Sequence, residues 1–168
     1  RKGSRLTSSF WPVRPYGRTG LSSKGRNQMT EDMKITPFQH IKLTVEAQIP
    51  LVRAMEKELG RDKAHALVRE TLDSRNRAIS KAEFASFGIG VDFEFDVQKR
   101  TDKEFHVDVH KCAYTRMMEE VDARDLGPLL ICNCDFALAE GLGLELKREK
   151  TCMKGDGMCD FRFRKVGE

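Results

Sequence analysis

"GVDFEFDVQKRTDKEFHVDVHKC", Gly90 to Cys112, is the stretch that decides the fold. In its first part Val91, Phe93, Phe95 and Val97 alternate with Asp92, Glu94 and Asp96. A period of two describes a half-buried strand with a wet acidic face. "KRTDK" turns the chain and "EFHVDVHKC" alternates again, so the segment predicts a β-hairpin. In the second strand Phe105, Val107 and Val109 share one face, and His106, Asp108, His110 and Cys112 share the other. Two imidazoles, a carboxylate and a thiol in one row are the ingredients of a metal site or an activated thiol. A polar solvent face that contains histidines has the same pattern. Neighbours two apart on a strand lie roughly 6.6 Å apart, so His110 and Cys112 can converge on one ligand.

Upstream the period is helical. Ile41, Val45, Ile49, Val52, Met55 and Leu59 recur at spacings of three and four, with Gly60 as a C-cap. Pro50 sits inside this pattern and is expected to kink or split it. A second helix is predicted from Arg61 to about Phe84 on Ala64, Leu67, Val68, Leu72 and Ile79. His65 lies on it and His40 just before the first helix; both read as surface or partly buried side chains.

Downstream, "AYTRMMEEV" reads as a short helix. "LGPLLICNCDFALAEGLG" reads as a helical stretch broken near Gly127-Pro128 and closed by Gly141 and Gly143. "LGLELKREKT" alternates weakly. After the turn "KGDGM", Cys159, Phe161 and Phe163 alternate with Asp160, Arg162 and Arg164, which predicts a closing hairpin. Helices, a hairpin, short helices and a second hairpin indicate an α+β fold. Its N-terminal helices pack on an antiparallel sheet built from two hairpins, with short helices between them.

The chain has 168 residues and suits one domain able to bury roughly two thirds of its unfolded surface. Its net charge of +4 is unevenly placed. Residues 1–28 hold five Arg, two Lys and no acid, which leaves −3 on the other 140 residues. We therefore expect a disordered basic leader over 1–28 and one mildly acidic domain over 29–168. The leader lacks the apolar stretch of a secretory signal, faintly resembles an organellar transit peptide, and precedes a natural-looking start at Met29. A basic stripe within the domain, which nucleic acid would require, is not evident. No apolar run approaches the roughly 20 residues of a membrane span.

The five cysteines are an odd number with no secretory signal, which predicts free thiols in a cytoplasmic protein rather than a disulfide framework. Cys132, beside Leu130 and Ile131, and Cys152 read as core side chains. Structural zinc sites repeat a Cys pair. Here one C-x-C, Cys132 and Cys134, has no partner pair, so no cofactor is expected. If zinc binds, its ligands are His110, Cys112, Cys134 and Cys159. Cys112 ends a strand where a helix begins, and free helix N–H groups there can stabilise a thiolate. Asp135 precedes the apolar helix "FALAEGL" as an N-cap, or else holds a cationic, amidine-like group at a pocket floor.

From Val109 to Phe163 the sequence resembles the L-2-amino-thiazoline-4-carboxylic acid hydrolase family. The resemblance rests on Cys112 and Tyr114, an acidic short helix, Leu126-Gly127, Asp135-Phe136, and Gly155, Cys159, Asp160, Phe161 and Arg162 in fixed order. It implies an enzyme, a hydrolase that opens a small cyclic amidine ring by adding water or a Cys thiolate at C2. Cys112, Asp135, Cys159 and His110 are then its catalytic candidates. Asp135 would keep the ring nitrogen protonated, and Arg116 or Arg162 would hold the substrate carboxylate. Tyr114 and His106 are further candidates for substrate contact. The small-molecule substrate is the one partner implied; a homodimer is compatible with the size. The ending Thr151–Phe161 is also similar to vinyl-reductase-like small-molecule-binding domains, which implies the alternative of a ligand or metal sensor without turnover.

Overall fold

A computed structural model of the chain describes residues 35–79 and 93–167. The expected leader over 1–28, Val91, and the expected end of the second helix at Phe84 lie outside the described residues.

Helix α1 spans Pro37–Leu59 and opens on a capping box. The Thr36 hydroxyl accepts the Gln39 N–H at 3.1 Å, and Gln39 Oε1 accepts the Thr36 N–H at 2.8 Å. Pro37 needs no N–H partner at the first helical position. His40 falls inside this helix rather than before it. The expected split at Pro50 does not occur, because the helix runs on to Leu59. Proline in a helix interior costs about 3 kcal/mol. Here it lies on the exposed side, while Val45 and Val52 are buried on either side of it and hold the two halves to one core.

Helix α2, Arg61–Arg77, buries Ala64 and Leu72. It ends short of Ile79, so its described part is shorter than the periodicity predicted. His65 Nε2 lies 2.6 Å from Glu56 Oε1 and ties α2 back to α1.

Strands β1 (Glu94–Arg100) and β2 (Glu104–Lys111) form the expected first hairpin. Strands β3 (Leu144–Lys147) and β4 (Cys159–Lys165) form the second. β2 and β4 join them, giving one antiparallel sheet in the order β1-β2-β4-β3. Between the hairpins come helix α3 (Ala113–Glu120), a 3-10 turn (Arg124–Leu126), a single π turn (Pro128–Cys132) and helix α4 (Cys134–Gly141). The fold is α+β, as the periodicities predict.

Two apolar clusters organise it. One gathers Val45, Val52 and Leu72 with Met117, Met118, Leu126, Leu129 and Leu130. The other lies under the sheet, where Phe105, Val107, Val109 and Cys159 meet Ala139, Leu142, Leu144 and Leu146. Each fully buried aliphatic or aromatic side chain here contributes about 1.5–3 kcal/mol. Helix α4 packs on both α2 and β3 and so bridges the clusters. At Gly141 that packing leaves no room for a side chain, since a Cβ would sit 2.2 Å from the Arg77 carbonyl oxygen. Among the described residues no helix is long and apolar enough to cross a membrane.

Candidate active site

The sheet reads its faces from the pleat. Val109 lies opposite Cys159, Val107 opposite Phe161 and Phe105 opposite Phe163, all on the apolar face. On the other face His106 is paired with Arg162 and faces Lys99 across the opposite edge of β2. There Arg162 Nη1 lies 2.6 Å from Asp108 Oδ1. This salt bridge engages Arg162, which is not among the residues that line the Cys112 cavity.

Cys112 does not continue the strand face of His106 and Asp108, but it lines one cavity with His110, as their spacing of two allows. β2 ends at Lys111, and Cys112 is the N-cap of α3, with φ −109° and ψ 112°. Alternation assigns faces only within a strand, and the turn into α3 brings the Cys112 side chain to the apolar cluster beside Cys159. The neighbouring Cys159 thiol is the main cause that lowers the Cys112 thiol to about 6 against an opposing desolvation. The N–H groups of Tyr114 and Thr115 help. They miss the geometry of a formal side-chain cap, since the Thr115 N–H is bonded to the Cys112 carbonyl at 3.1 Å, and so they act on the sulfur electrostatically. The Thr115 hydroxyl, buried with no hydrogen-bond partner among the described residues, adds to the lowering of the same thiol. Cys159 is pushed far up by the neighbouring Cys112 and by burial, so the proton of the pair resides on Cys159. Its sulfur also accepts the Cys152 N–H at 3.2 Å.

Cys112 opens onto a cavity of about 470 Å³ that is open to solvent. His110, Lys111, Thr115, Arg116, Glu119 and Cys152 also line it. His110 Nε2 lies 3.1 Å from Asp96 Oδ2, and Lys111 pairs with Glu94. Arg116 is the least committed cation of the wall. Its side chain is 70% exposed and its Nε is 3.8 Å from Glu120 Oε1. Cys152, expected in the core, is half-buried and forms part of the wall instead. It rides on a 3-10 turn, Cys152–Lys154, that faces α3. Arg124 holds that turn, donating to the carbonyls of Met153 and Cys152 at 3.0 Å each while pairing with Glu119 at 2.6 Å. Asp160 Oδ1 accepts the N–H groups of Glu149 and Lys150, and Asp156 Oδ2 accepts that of Thr151. The acids of "KGDGMCD" thus fix the loop that presents Cys152 and Cys159.

Asp135 stands elsewhere. It is not the N-cap of α4, a position held by Asn133, but lies inside the first turn. It is not among the residues that line the cavity. Its Oδ2 lies 2.6 Å from Arg148 Nη1, and Arg148 Nη2 donates to the Cys132 carbonyl at 2.8 Å. Burial raises the Asp135 carboxyl, and Arg148 pulls it back. The Arg148 side chain is only 3% exposed and lies between the rings of Phe136 and Phe161, 5.0 Å from each centroid. Tyr114 packs its ring 5.3 Å from both Phe38 and Phe93, so that its backbone N–H, not its ring, serves the thiol.

The zinc quartet is not gathered. Cys134 Sγ donates to the Leu130 carbonyl at 3.6 Å, and Cys134 is not among the residues that line the cavity. Among the described residues no three His, Cys, Asp or Glu side chains converge as metal ligands. All five cysteines are free thiols.

Sequence reasoning missed Thr115, Arg124, Arg148 and the wall position of Cys152. A Cys-x-x-Thr at a strand-to-helix junction was a usable signal for Thr115, because such a hydroxyl faces the cap. Arg148, inside "LKREK", reads as one more solvated charge, and only the tertiary fold buries it.

No curated protein and no solved structure matches the chain. Residues 40–163 do match a family model, and they take in the N-terminal helix pair from His40 on, the whole cavity wall and all four strands up to Phe163 of β4. On that match the chain belongs to the L-2-amino-thiazoline-4-carboxylic acid hydrolase family.

Proposed function

We propose that this chain opens a 2-amino-thiazoline-4-carboxylate-like ring, with the Cys112 thiolate as nucleophile at C2. One observation carries the reading. Cys112 is at the wall of an open cavity, and it is the thiol whose surroundings favour the anion near neutral pH. The C2 carbon, bonded to two nitrogens and the ring sulfur, is electrophilic when the amidine is protonated. Attack by the thiolate forms a C–S bond, and the ring C2–S bond breaks with its electron pair going to sulfur, which takes up a proton. An S-linked isothiourea on Cys112 remains. Water adds at the same carbon, expels the Cys112 thiolate and loses its protons, giving N-carbamoyl-L-cysteine.

Arg116 is suited to hold the substrate carboxylate, being at the cavity wall and loosely paired. His110 is suited to take the proton from the incoming water. Cys159 supports the thiolate from behind, and Asp135, bound to Arg148, positions the π turn and α4 rather than the substrate. Five free thiols suit a reducing compartment such as the cytoplasm.

The test is release of a new thiol from 2-amino-thiazoline-4-carboxylate, followed with a chromogenic disulfide reagent after separating the protein. Turnover by the wild type that is lost in Cys112→Ala supports the reading. Undiminished turnover in Cys112→Ala would remove the thiolate from the mechanism and leave activated water.

A further inference from the structure

The proposed ring opening calls for an anion beside the protonated amidine, and Asp135, bound to Arg148, does not line the cavity. Two carboxylates do, Glu94 and Glu119. Glu94 is paired with Lys111, a second residue of the wall, so their charges cancel within it. Glu119 is held differently. Its Oε1 accepts from Arg124 Nη1 at 2.6 Å, while Arg124 Nε and Nη2 donate to the Met153 and Cys152 carbonyls at 3.0 Å each. Arg124 itself does not line the cavity. It thus fixes one oxygen of Glu119 from outside, and Oε2 takes no hydrogen bond among the described residues. The helix sets the rest of the arrangement. Seven residues are close to two turns, so Glu119 returns to within about 20° of the Cys112 direction, with Thr115 and Arg116 between them on either side. All four line the cavity, while Met117 and Met118 of the other face are buried. Long side chains on a helix incline towards its N-terminus, the end at which Cys112 stands. One face of α3 therefore presents a thiol, a guanidinium and a carboxylate to the same small molecule.

We propose that Glu119 is the specificity-determining residue of the cavity, holding the amidinium of the ring while Arg116 holds its carboxylate. This rests on the reading of the cavity as the site of a 2-amino-thiazoline-4-carboxylate-like ring, and it names the group that selects that class. An amidinium presents two parallel N–H donors, one on the exocyclic nitrogen and one on the ring nitrogen, which fit a carboxylate as a guanidinium does. Glu119 Oε2 accepts one of them, and Oε1 has a second lone pair beside Arg124 for the other. The same contact favours the charged amidine, the state in which C2 is open to the Cys112 thiolate. A ring of equal size without the amidine lacks both donors. The site therefore selects small molecules with a cation at one end and an anion at the other.

The test measures binding by titration calorimetry to the full chain carrying Cys112→Ala, in which no thiolate consumes the probe. Two probes are compared, 2-amino-thiazoline-4-carboxylate and thiophene-2-carboxylate, a five-membered sulfur ring with the carboxylate but no amidine. The Cys112→Ala chain should bind the first more tightly. Adding Glu119→Gln should weaken the first about fivefold, the upper range for an ion pair at a side chain 47% exposed, and leave the second within about twofold. Glutamine keeps an oxygen for Arg124, so the wall stays in place, and circular dichroism checks the fold. Adding Glu94→Gln instead should change neither probe, and Arg116→Gln should weaken both. Equal affinity of the two probes, equal losses or no loss in Glu119→Gln, a loss of amidine preference in Glu94→Gln, or no binding of 2-amino-thiazoline-4-carboxylate would each overturn the proposal. The probe comparison and the Glu94→Gln variant decide it even where Glu119→Gln does not fold. Glu119-dependent binding in a protein whose wild type releases no thiol from 2-amino-thiazoline-4-carboxylate would sink only the hydrolase reading. Turnover by the wild type with no dependence on Glu119 would sink only this assignment.

Discussion

Two cysteines stand at the start of a short helix, Cys112 at α3 and Cys134 at α4. Helix N-termini favour anions, so on that ground alone both would be acidic thiols. They are not alike. The Cys112 thiol is lowered to about 6, and burial with the adjacent Asp135 charge pushes Cys134 up to about 11. Cys132, two residues earlier, is pushed up to about 12 by the same two causes. At Cys112 the dominant neighbour is the Cys159 thiol; at Cys134 it is a carboxylate. What separates a reactive thiol from an inert one here is therefore the group beside the sulfur, and the helix end is a minor contributor.

The sharpest way to break this contrast is by activity. Cys112→Ala should lower turnover on the order of 10⁴-fold or more, as loss of a nucleophile does elsewhere. Cys134→Ala should leave turnover within about a factor of three, because its sulfur donates to the Leu130 carbonyl and Cys134 does not line the cavity. Steady-state thiol release by both variants checks the pair, and equal losses would mean that the two helix starts serve one site.

The next effect is on stability. Arg148→Met would leave Asp135 without its cation and the Cys132 carbonyl without its donor. Breaking a buried pair costs about 3–5 kcal/mol, and the low end applies because Asp135 keeps 35% of its side chain in water. Urea unfolding should show about 3 kcal/mol lost, whereas Arg116→Met, on an exposed side chain, should change stability by less than about 0.5 kcal/mol. Equal losses would mean that Arg148 is no clasp. Gly141→Ala, which drives a Cβ into the Arg77 backbone, should cost about 1–3 kcal/mol in the same assay.

Much of this was legible in the sequence. The period of two in "FEFDV" and "FHVDV" specified the first hairpin and "CDFRFRK" specified β4, but the apolar face expected of the first strand is not buried, since β1 has no buried residue and Val97 is exposed at the edge of the sheet. Cys112 and Cys159 could be singled out as a pair. The route by which they meet could not, since it depends on where β2 stops and α3 starts, a boundary that periodicity leaves open by a residue or two. Asp135 illustrates the opposite limit. Its local context fits an N-cap, and its partner Arg148 is thirteen residues away across a strand, so no local pattern could join them.

Thiol chemistry sharpens the contrast further. At pH 7 the thiolate fraction favours Cys112 over Cys134 by about 10⁴, and the lower nucleophilicity of the more acidic thiol reduces this to on the order of 10². Alkylation by iodoacetamide with peptide mapping should show that ratio in the folded chain. Its pH midpoint at Cys112 should lie near 6 and move towards the ordinary value of about 8.5 in Cys159→Ala. A midpoint unmoved by that substitution would assign the acidity to the α3 N–H groups instead.

The smallest effect is on the pH dependence of stability, and its sign differs between the two regions. The folded state lowers the Cys112 thiol to about 6, below its unfolded value of about 8.5. Between these values the unfolded chain binds more protons, so this thiol adds stability as pH rises and the gain is lost as pH falls towards 6. For Cys132 and Cys134 the folded values, about 12 and about 11, lie above the unfolded one. Their contribution is complete below about 8.5 and is lost as pH climbs beyond it, because the unfolded thiols ionise first. Each thiol changes stability by at most about 1.4 kcal/mol per pH unit. Subtracting the Cys112→Ser curve from the wild-type curve cancels the carboxylates and histidines common to both. The difference should rise from pH 6 to 8.5 and then fall, because Cys112 also holds the Cys159 thiol far above its unfolded value and that contribution is lost as the unfolded Cys159 ionises. A flat difference across that window would mean that Cys112 keeps its proton in the folded chain, and the thiolate mechanism would lose its nucleophile.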